Sequence, residues 1–240
     1  MKIQTSCKWI QAVWAFALWA ALFPGLLGLS PQAYAVIIYS QAYSTAAVPE
    51  VITPVGLYSN VRMKTLATLY RLNQERVVKA AEQFSPENFR LLNTTDSSVG
   101  GIGFWMNPAQ FGNPDRYLGL FARVILPSDT PFRNDQSGRV AAVMDRYGKP
   151  ALEALAKELS LIPDPAVKGG ALIFIFSKEP LASPSFDNTA EALVLYIPKD
   201  DIIVFSQFRM TLQALFNKSD LFMFEGADQM QTLTKLFIQV

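Results

Sequence analysis

The chain has 240 residues, half of them apolar, with 21 basic and 20 acidic side chains, one cysteine and no histidine. That length and apolar content support the core of one sizeable domain or two small ones and exclude a disordered chain, while the near-zero net charge gives no bulk attraction to nucleic acid. Without histidine there is no Ser-His-Asp or Cys-His catalysis, no imidazole general base and no histidine-ligated zinc.

Lys2 and Lys8 precede an acid-free apolar run, Trp9 to Leu29, and Ser30-Pro31 leads into Ala33-Tyr34-Ala35. A basic start, an apolar stretch and a small-residue A-x-A site is the order of a secretory signal, so residues 1–35 are expected to be cleaved, leaving Val36 first. The alternative is an uncleaved anchor, because the run approaches the length of a bilayer span, although Pro24, Gly25 and Gly28 interrupt it. Cleavage removes Lys2, Lys8 and Cys7 but no acid, so the chain 36–240 carries a net charge of −1 and no cysteine. Thiolate nucleophiles, redox pairs and disulfides go with that cysteine.

Val36-Ile-Ile-Tyr-Ser40 is β-branched and precedes a loose stretch with Pro49 and Pro54, so residues 36–59 read as an arm or edge strand on the domain. Leu66, Leu69, Tyr70, Val77, Ala81 and Phe84 recur at three- and four-residue steps, which predicts one amphipathic helix from Asn60, its N-cap, to Phe84. Its mixed-charge face is that of a solvated helix rather than a membrane-surface one. Ser85-Pro86-Glu87 predicts a short helical turn through Leu92.

Residues 93–116 hold two Asn-Pro steps and three close glycines around one short strand, Ile102 to Met106. A strand follows over 117–126, with Leu118, Leu120, Ala122, Val124 and Leu126 on one face and a mixed set on the other. Ser137 or Gly138 to Tyr147 reads as a helix closed by Gly148, and Pro150 opens another that buries Leu152, Leu155 and Leu159. The runs 170–177 and 192–197 are apolar on both faces and form the centre of the sheet. Asp200 or Asp201 would cap a helix carrying Ile203, Phe205, Phe208, Leu212, Leu215 and Phe216, with a strand over 202–205 as the alternative. Leu221 to Phe224 is a strand, and Asp228 opens a last helix with Met230, Leu233, Phe237 and Val240.

Strands cluster rather than alternate with helices, so the expected fold is α+β: a single domain over 36–240, with a mixed or largely antiparallel sheet of about five strands covered by amphipathic helices. The stretch from strand 117–126 to strand 170–177 would serve as a crossover between parallel strands.

No cofactor or metal site is expected. Gly101-Ile-Gly103-Phe-Trp-Met106 lacks the third glycine of a dinucleotide loop, there is no P-loop, and Asp200, Asp201, Glu225 and Asp228 match no calcium loop. No serine has a lysine three residues on to activate it. Carboxylates remain for hydrolysis of a glycan, with Asp96, Asp115, Asp200, Asp201, Glu225 and Asp228 as candidates, although a helix cap, turn or surface charge is the better explanation of any one of them. Asn93-Thr-Thr95 and Asn217-Lys-Ser219 fit the N-glycosylation pattern, which matters only in a eukaryotic host.

The candidate binding residues are Phe104, Trp105, Phe111, Tyr117 and Phe121, aromatics gathered beside flexible turns, and Arg123, a cation in an otherwise apolar strand that requires a partner. Core packing is the better reading of the aromatics, and a pocket or partner surface framed by the 93–116 loops is the sharper one. The expected function is an exported, non-catalytic binding or assembly module of a bacterial envelope, periplasmic or secreted. Its partner is an envelope protein or an apolar small molecule, not nucleic acid, and it meets the membrane only through the signal. The alternative is a secreted carboxylate-dependent hydrolase.

Overall fold

The computed structural model describes residues 50–85, 87–95, 99–110, 115–130, 135–179, 190–225 and 234–235. The signal segment 1–35, the stretch Val36–Ser40 and Phe111 lie outside them. The described residues all fall in one compact unit, Tyr34–Val240.

From Glu50 the chain runs along the edge of a strand, where Ile102 N–H donates to Val51 O at 3.0 Å and Thr53 N–H to Ile102 O at 2.8 Å. Asn60 then caps helix α1 (Val61–Leu69), its side-chain oxygen accepting from the Arg62 and Met63 amides. Helix α2 (Arg71–Ala81) follows after a break at Tyr70, whose φ of −108° and ψ of 29° leave helical geometry. The single helix expected over 60–84 is therefore two. Gln74 Nε2 donates to the Ala67 carbonyl across the break and to Tyr70 O, which also accepts the Gln74 amide. The change of axis also turns Leu69 out to 64 % exposure, while Leu66, Val77 and Ala81 stay buried as the spacing requires.

The turn expected through Leu92 is shorter than the sequence suggested. Asn88 and Phe89 amides bond back to Ser85 O, and the chain then becomes strand β1 (Phe89–Leu91), because its alternate residues pair with the neighbouring strand. Strand β2 (Ile102–Trp105) and strand β3 (Arg116–Val124) match expectation. Both β1 and β2 lie antiparallel on the same edge of β3, one against each half.

Helix α3 (Gln136–Val143) is capped by Asp135, runs through a wide π turn (Met144–Gly148) and continues into helix α4 (Lys149–Ser160). Gly148 does not end a helix: its φ of −66° and ψ of −46° are helical. Pro150 has no amide to donate to the preceding turn, and a widened turn accommodates that loss. Leu152, Leu155 and Leu159 are all fully buried.

Strands β4 (Val167–Ser177) and β5 (Ala190–Pro198) form the expected antiparallel pair. Helix α5 (Lys199–Ser206) follows directly, with Pro198 as its N-cap and Asp200 and Asp201 inside the first turn. Those acids complement the helix dipole but do not cap it. Helix α6 (Leu212–Lys218) is separate, because Phe208 adopts a φ of 57° and breaks what the sequence suggests is one helix. Phe208 itself is 88 % exposed. Strand β6 (Asp220–Glu225) is as expected. Thr234–Lys235 form strand β7 against β6 where the last helix was expected; hydrogen bonding along that free edge overrides helical spacing there. Met230, Leu233, Phe237 and Val240 lie outside the described residues.

The sheet order is β1-β3-β4-β5-β6-β7, with β2 also on β3. Only β3 and β4 run parallel among these named strand pairs, joined by α3 and α4 as the crossover that parallel strands need. The fold is thus α+β with a mixed sheet. One face carries the helices: Leu66, Val77, Val140, Tyr147, Leu152 and Leu155 pack on Leu120, Leu172, Phe174 and Leu195. The other face is a separate apolar cluster built from strand and loop residues, to which no described helix contributes.

Candidate ligand and partner surface

This second face arises from strand alternation. In β3, Tyr117, Gly119 and Phe121 point away from the helices, as do Ala171, Ile173 and Ile175 in β4, Val194 and Tyr196 in β5, and Phe222 in β6. Trp105, the last residue of β2, stands opposite Tyr117 in register. Edge-to-face contacts tie the rings together, Trp105 with Phe121 at 6.1 Å between centroids, Tyr117 with Tyr196 at 5.2 Å and Tyr196 with Phe222 at 6.4 Å.

Beneath the Trp105 ring the sheet surface is low, and the ring fills it. Gly119 and Ala171 are register partners, and Ala171 in turn faces Tyr196. A methyl group at 119 would overlap the Trp105 indole, so the ring lies directly on the glycine backbone. Glycine is required here for close approach, not for backbone conformation.

Among the described residues, two buried polar atoms on this face, Trp105 Nε1 and Tyr196 Oη, have no hydrogen-bond partner. Unpaired buried donors are uncommon and costly. Burial pushes the Tyr196 hydroxyl well above its ordinary range, with Tyr117 beside it acting the same way. One end of the face is polar. Asn107, just after β2, donates to Asp220 Oδ2 on β6 at 2.8 Å, although β3, β4 and β5 separate the two strands. Asn107 therefore reaches across the end of the second face. Burial raises the Tyr117 hydroxyl; Asn107 and Gln110 hydrogen bonds oppose this, and the Asp115 and Asp220 carboxylates reinforce it.

The six candidate residues do not form one group. Trp105, Tyr117 and Phe121 share the second face, whereas Phe104, one residue before Trp105, points to the helix side and is fixed there by the Tyr58 hydroxyl accepting from its amide at 2.9 Å. Phe111 lies outside the described residues. Arg123 is partly buried near the β1 end, opposite Arg90 and Ile175 in register. Sequence reasoning missed Tyr196 and Phe222, treated only as parts of apolar strands; their parity with the β3 aromatics across the sheet is the signal that relates them.

Of the candidate acids, Asp201 pairs with Lys218 at 2.7 Å and Asp200 is exposed on α5; Asp96 and Asp228 lie outside the described residues, and so does the Glu225 side chain. Among the described residues no group of three Asp, Glu, Cys or His is placed to hold a metal ion. The buried acids are ones the sequence did not single out. Glu191, at the start of β5, is fully buried and takes Arg139 Nε and Nη2 at 2.6 Å each. Glu158 on α4 accepts from Asn73 on α2 at 2.9 Å, with Arg76 at 3.5 Å. Both join a helix to another element and lie apart from the aromatic cluster.

No family model, curated protein or solved structure matches this chain. Any function must therefore be argued from the chain itself.

Proposed function

We propose that the protein is an exported, non-catalytic binding or assembly module of a bacterial envelope, and that it holds a partner protein or apolar ligand on the sheet face around Trp105, Tyr117 and Phe121. The observation that carries this reading is the second apolar face, an aromatic cluster on which two buried polar atoms have no partner among the described residues. A face that served packing alone would be expected to satisfy or omit such atoms. Residues 1–35 supply the export signal in this proposal, and the lack of histidine and of a retained cysteine narrows the chemistry open to a catalyst.

The test is native mass spectrometry of protein exported by its own host and released gently. The parent should carry a bound species that Trp105→Ala with Phe121→Ala loses, while the circular dichroism of the double variant stays that of the parent. A parent without any bound species, or a well-folded double variant that keeps it, would refute the proposal.

A further inference from the structure

Among the described residues eight large apolar side chains are exposed, and five of them, Val55, Leu57, Val61, Leu69 and Leu72, fall within one short stretch of chain. The break at Tyr70 makes this cluster. A continuous helix would have buried Leu69 and left only a mixed-charge face outside. Instead α1 ends on Leu69 and α2 carries Leu72 in its first turn, so two leucines, 64 % and 65 % exposed, stand at the corner between the helices. Val61, Lys64, Thr65 and Thr68 share the outer face of α1 at helical spacing. Thr65 and Thr68 donate their hydroxyls to the Val61 and Lys64 carbonyls at 3.1 and 2.9 Å. Their donors are therefore satisfied within the helix and can leave water at little cost.

The same stretch is basic. Residues 55–81 hold Arg62, Lys64, Arg71, Arg76 and Lys79 against a single acid, Glu75, in a chain whose net charge is only +1. Arg62 is held by Asp164, Arg71 by Glu75 and Arg76 by Glu158. Among the described residues Lys64 and Lys79 have no acidic partner, and they lie one on each helix. Lys79 is two turns along α2 from Leu72, on the same face.

This composition selects the occupant. The energetic centres of protein interfaces favour tryptophan, tyrosine and arginine, are poor in leucine, valine and threonine, and exclude lysine. A second copy paired about a two-fold axis would set the same lysines against each other. Leucines projecting beside uncompensated lysines are what the boundary of an anionic bilayer accommodates, with acyl chains for one and headgroups for the other. We infer that the α1–α2 corner docks on an anionic lipid surface, with Leu69 and Leu72 entering the headgroup boundary and Lys64 and Lys79 held by the headgroups. Leu66 and Val77 of these helices pack on the helix side of the sheet, so the inference is independent of what the second face holds.

Cys7 is the only cysteine, so the full chain with Cys7→Ser and Thr65→Cys takes a single environment-sensitive nitrobenzoxadiazole label on the outer face of α1. The label reports its own surroundings, so attachment of the chain through the apolar run Trp9 to Leu29 does not by itself produce the signal. On vesicles of phosphatidylglycerol with phosphatidylcholine its emission should shift to shorter wavelength, and pure phosphatidylcholine or high salt should suppress the shift. Lys64→Gln with Lys79→Gln should reduce the equilibrium constant for entry about thirtyfold. Leu69→Ser and Leu72→Ser should each reduce it about tenfold. All four side chains point away from the core, so the circular dichroism of these variants should remain that of the parent.

A label that stays in water on anionic vesicles, an equal shift on pure phosphatidylcholine, or an unchanged response in the lysine variant would each overturn the assignment. Emission that shifts with the soluble envelope proteins of the host and not with vesicles would give the corner to a protein partner and overturn it as well.

Discussion

Arg139→Ala tests the reasoning about buried charge most severely. Glu191 is fully enclosed and Arg139 only 8 % exposed at the side chain, and the guanidinium grips both carboxylate oxygens at 2.6 Å. Removing the arginine strands a carboxylate in the sheet, which costs about 3–5 kcal/mol for a pair of this depth. At about 2–4 °C per kcal/mol for a domain of this size, melting should fall by roughly 6–20 °C. Replacing both partners, Arg139→Met with Glu191→Leu, removes the stranded charge and should restore stability to within about 1 kcal/mol of the parent or above it. The assay is urea unfolding of the parent, Arg139→Ala and the double variant, followed by circular dichroism, with midpoints compared at unchanged slope. A loss below about 1 kcal/mol for Arg139→Ala is the behaviour of a solvated surface pair and would refute the argument.

Gly119→Ala should destabilise by about 1–3 kcal/mol, because the added methyl must displace the Trp105 ring, and the Trp105 emission of the chain with Trp9, Trp14 and Trp19 changed to phenylalanine should shift to longer wavelength. Tyr58→Phe leaves the buried Phe104 amide without its acceptor, at a cost of about 1–3 kcal/mol, and hydrogen exchange at Phe104 should accelerate selectively. Alkaline stability follows from the tyrosines. Tyr58, Tyr117, Tyr147 and Tyr196 are all raised above 10.0 in the folded state, chiefly by burial, so their contribution is complete below pH 10 and is lost as pH rises through the folded values. Urea midpoints should therefore fall above pH 10, less steeply in Tyr196→Phe; a midpoint independent of pH from 9 to 12 would contradict this. Asn60→Ala should cost about 1 kcal/mol by uncapping α1, and an unchanged midpoint would show that the cap contributes nothing.

The sheet was the most legible part of the sequence, because a strand buried on both faces writes itself as an uninterrupted apolar run. Phe174 and Leu195 needed no other signal. Helix continuity was less legible, since spacing describes a face but not the backbone that carries it. Leu69 and Phe208 fit helical spacing, yet breaks at Tyr70 and at Phe208 itself turn both outward. At the candidate site, sequence proximity brought Phe104 and Trp105 together although alternation sends them to opposite faces. Tyr196 is a neighbour of Tyr117 only because the chain crosses over and returns, and that juxtaposition depends on register. Glu191 could have been suspected on physical grounds: an acid at the head of the run Ala192 to Ile197 has to find a cation.

The parallel seam between β3 and β4 has a consequence for the order of assembly. Strands β4, β5 and β6 join neighbours in antiparallel register, and β1 and β2 meet β3 within a short stretch of chain, so each half can form from local contacts. The seam cannot close until residues 125–166 have collapsed into the crossover, and such non-local pairing is slow. Until then two long apolar strand edges stand open, each a template for another chain. Refolding yield should therefore fall with protein concentration, and a chaperone that shields β3 and β4 during that interval should recover it.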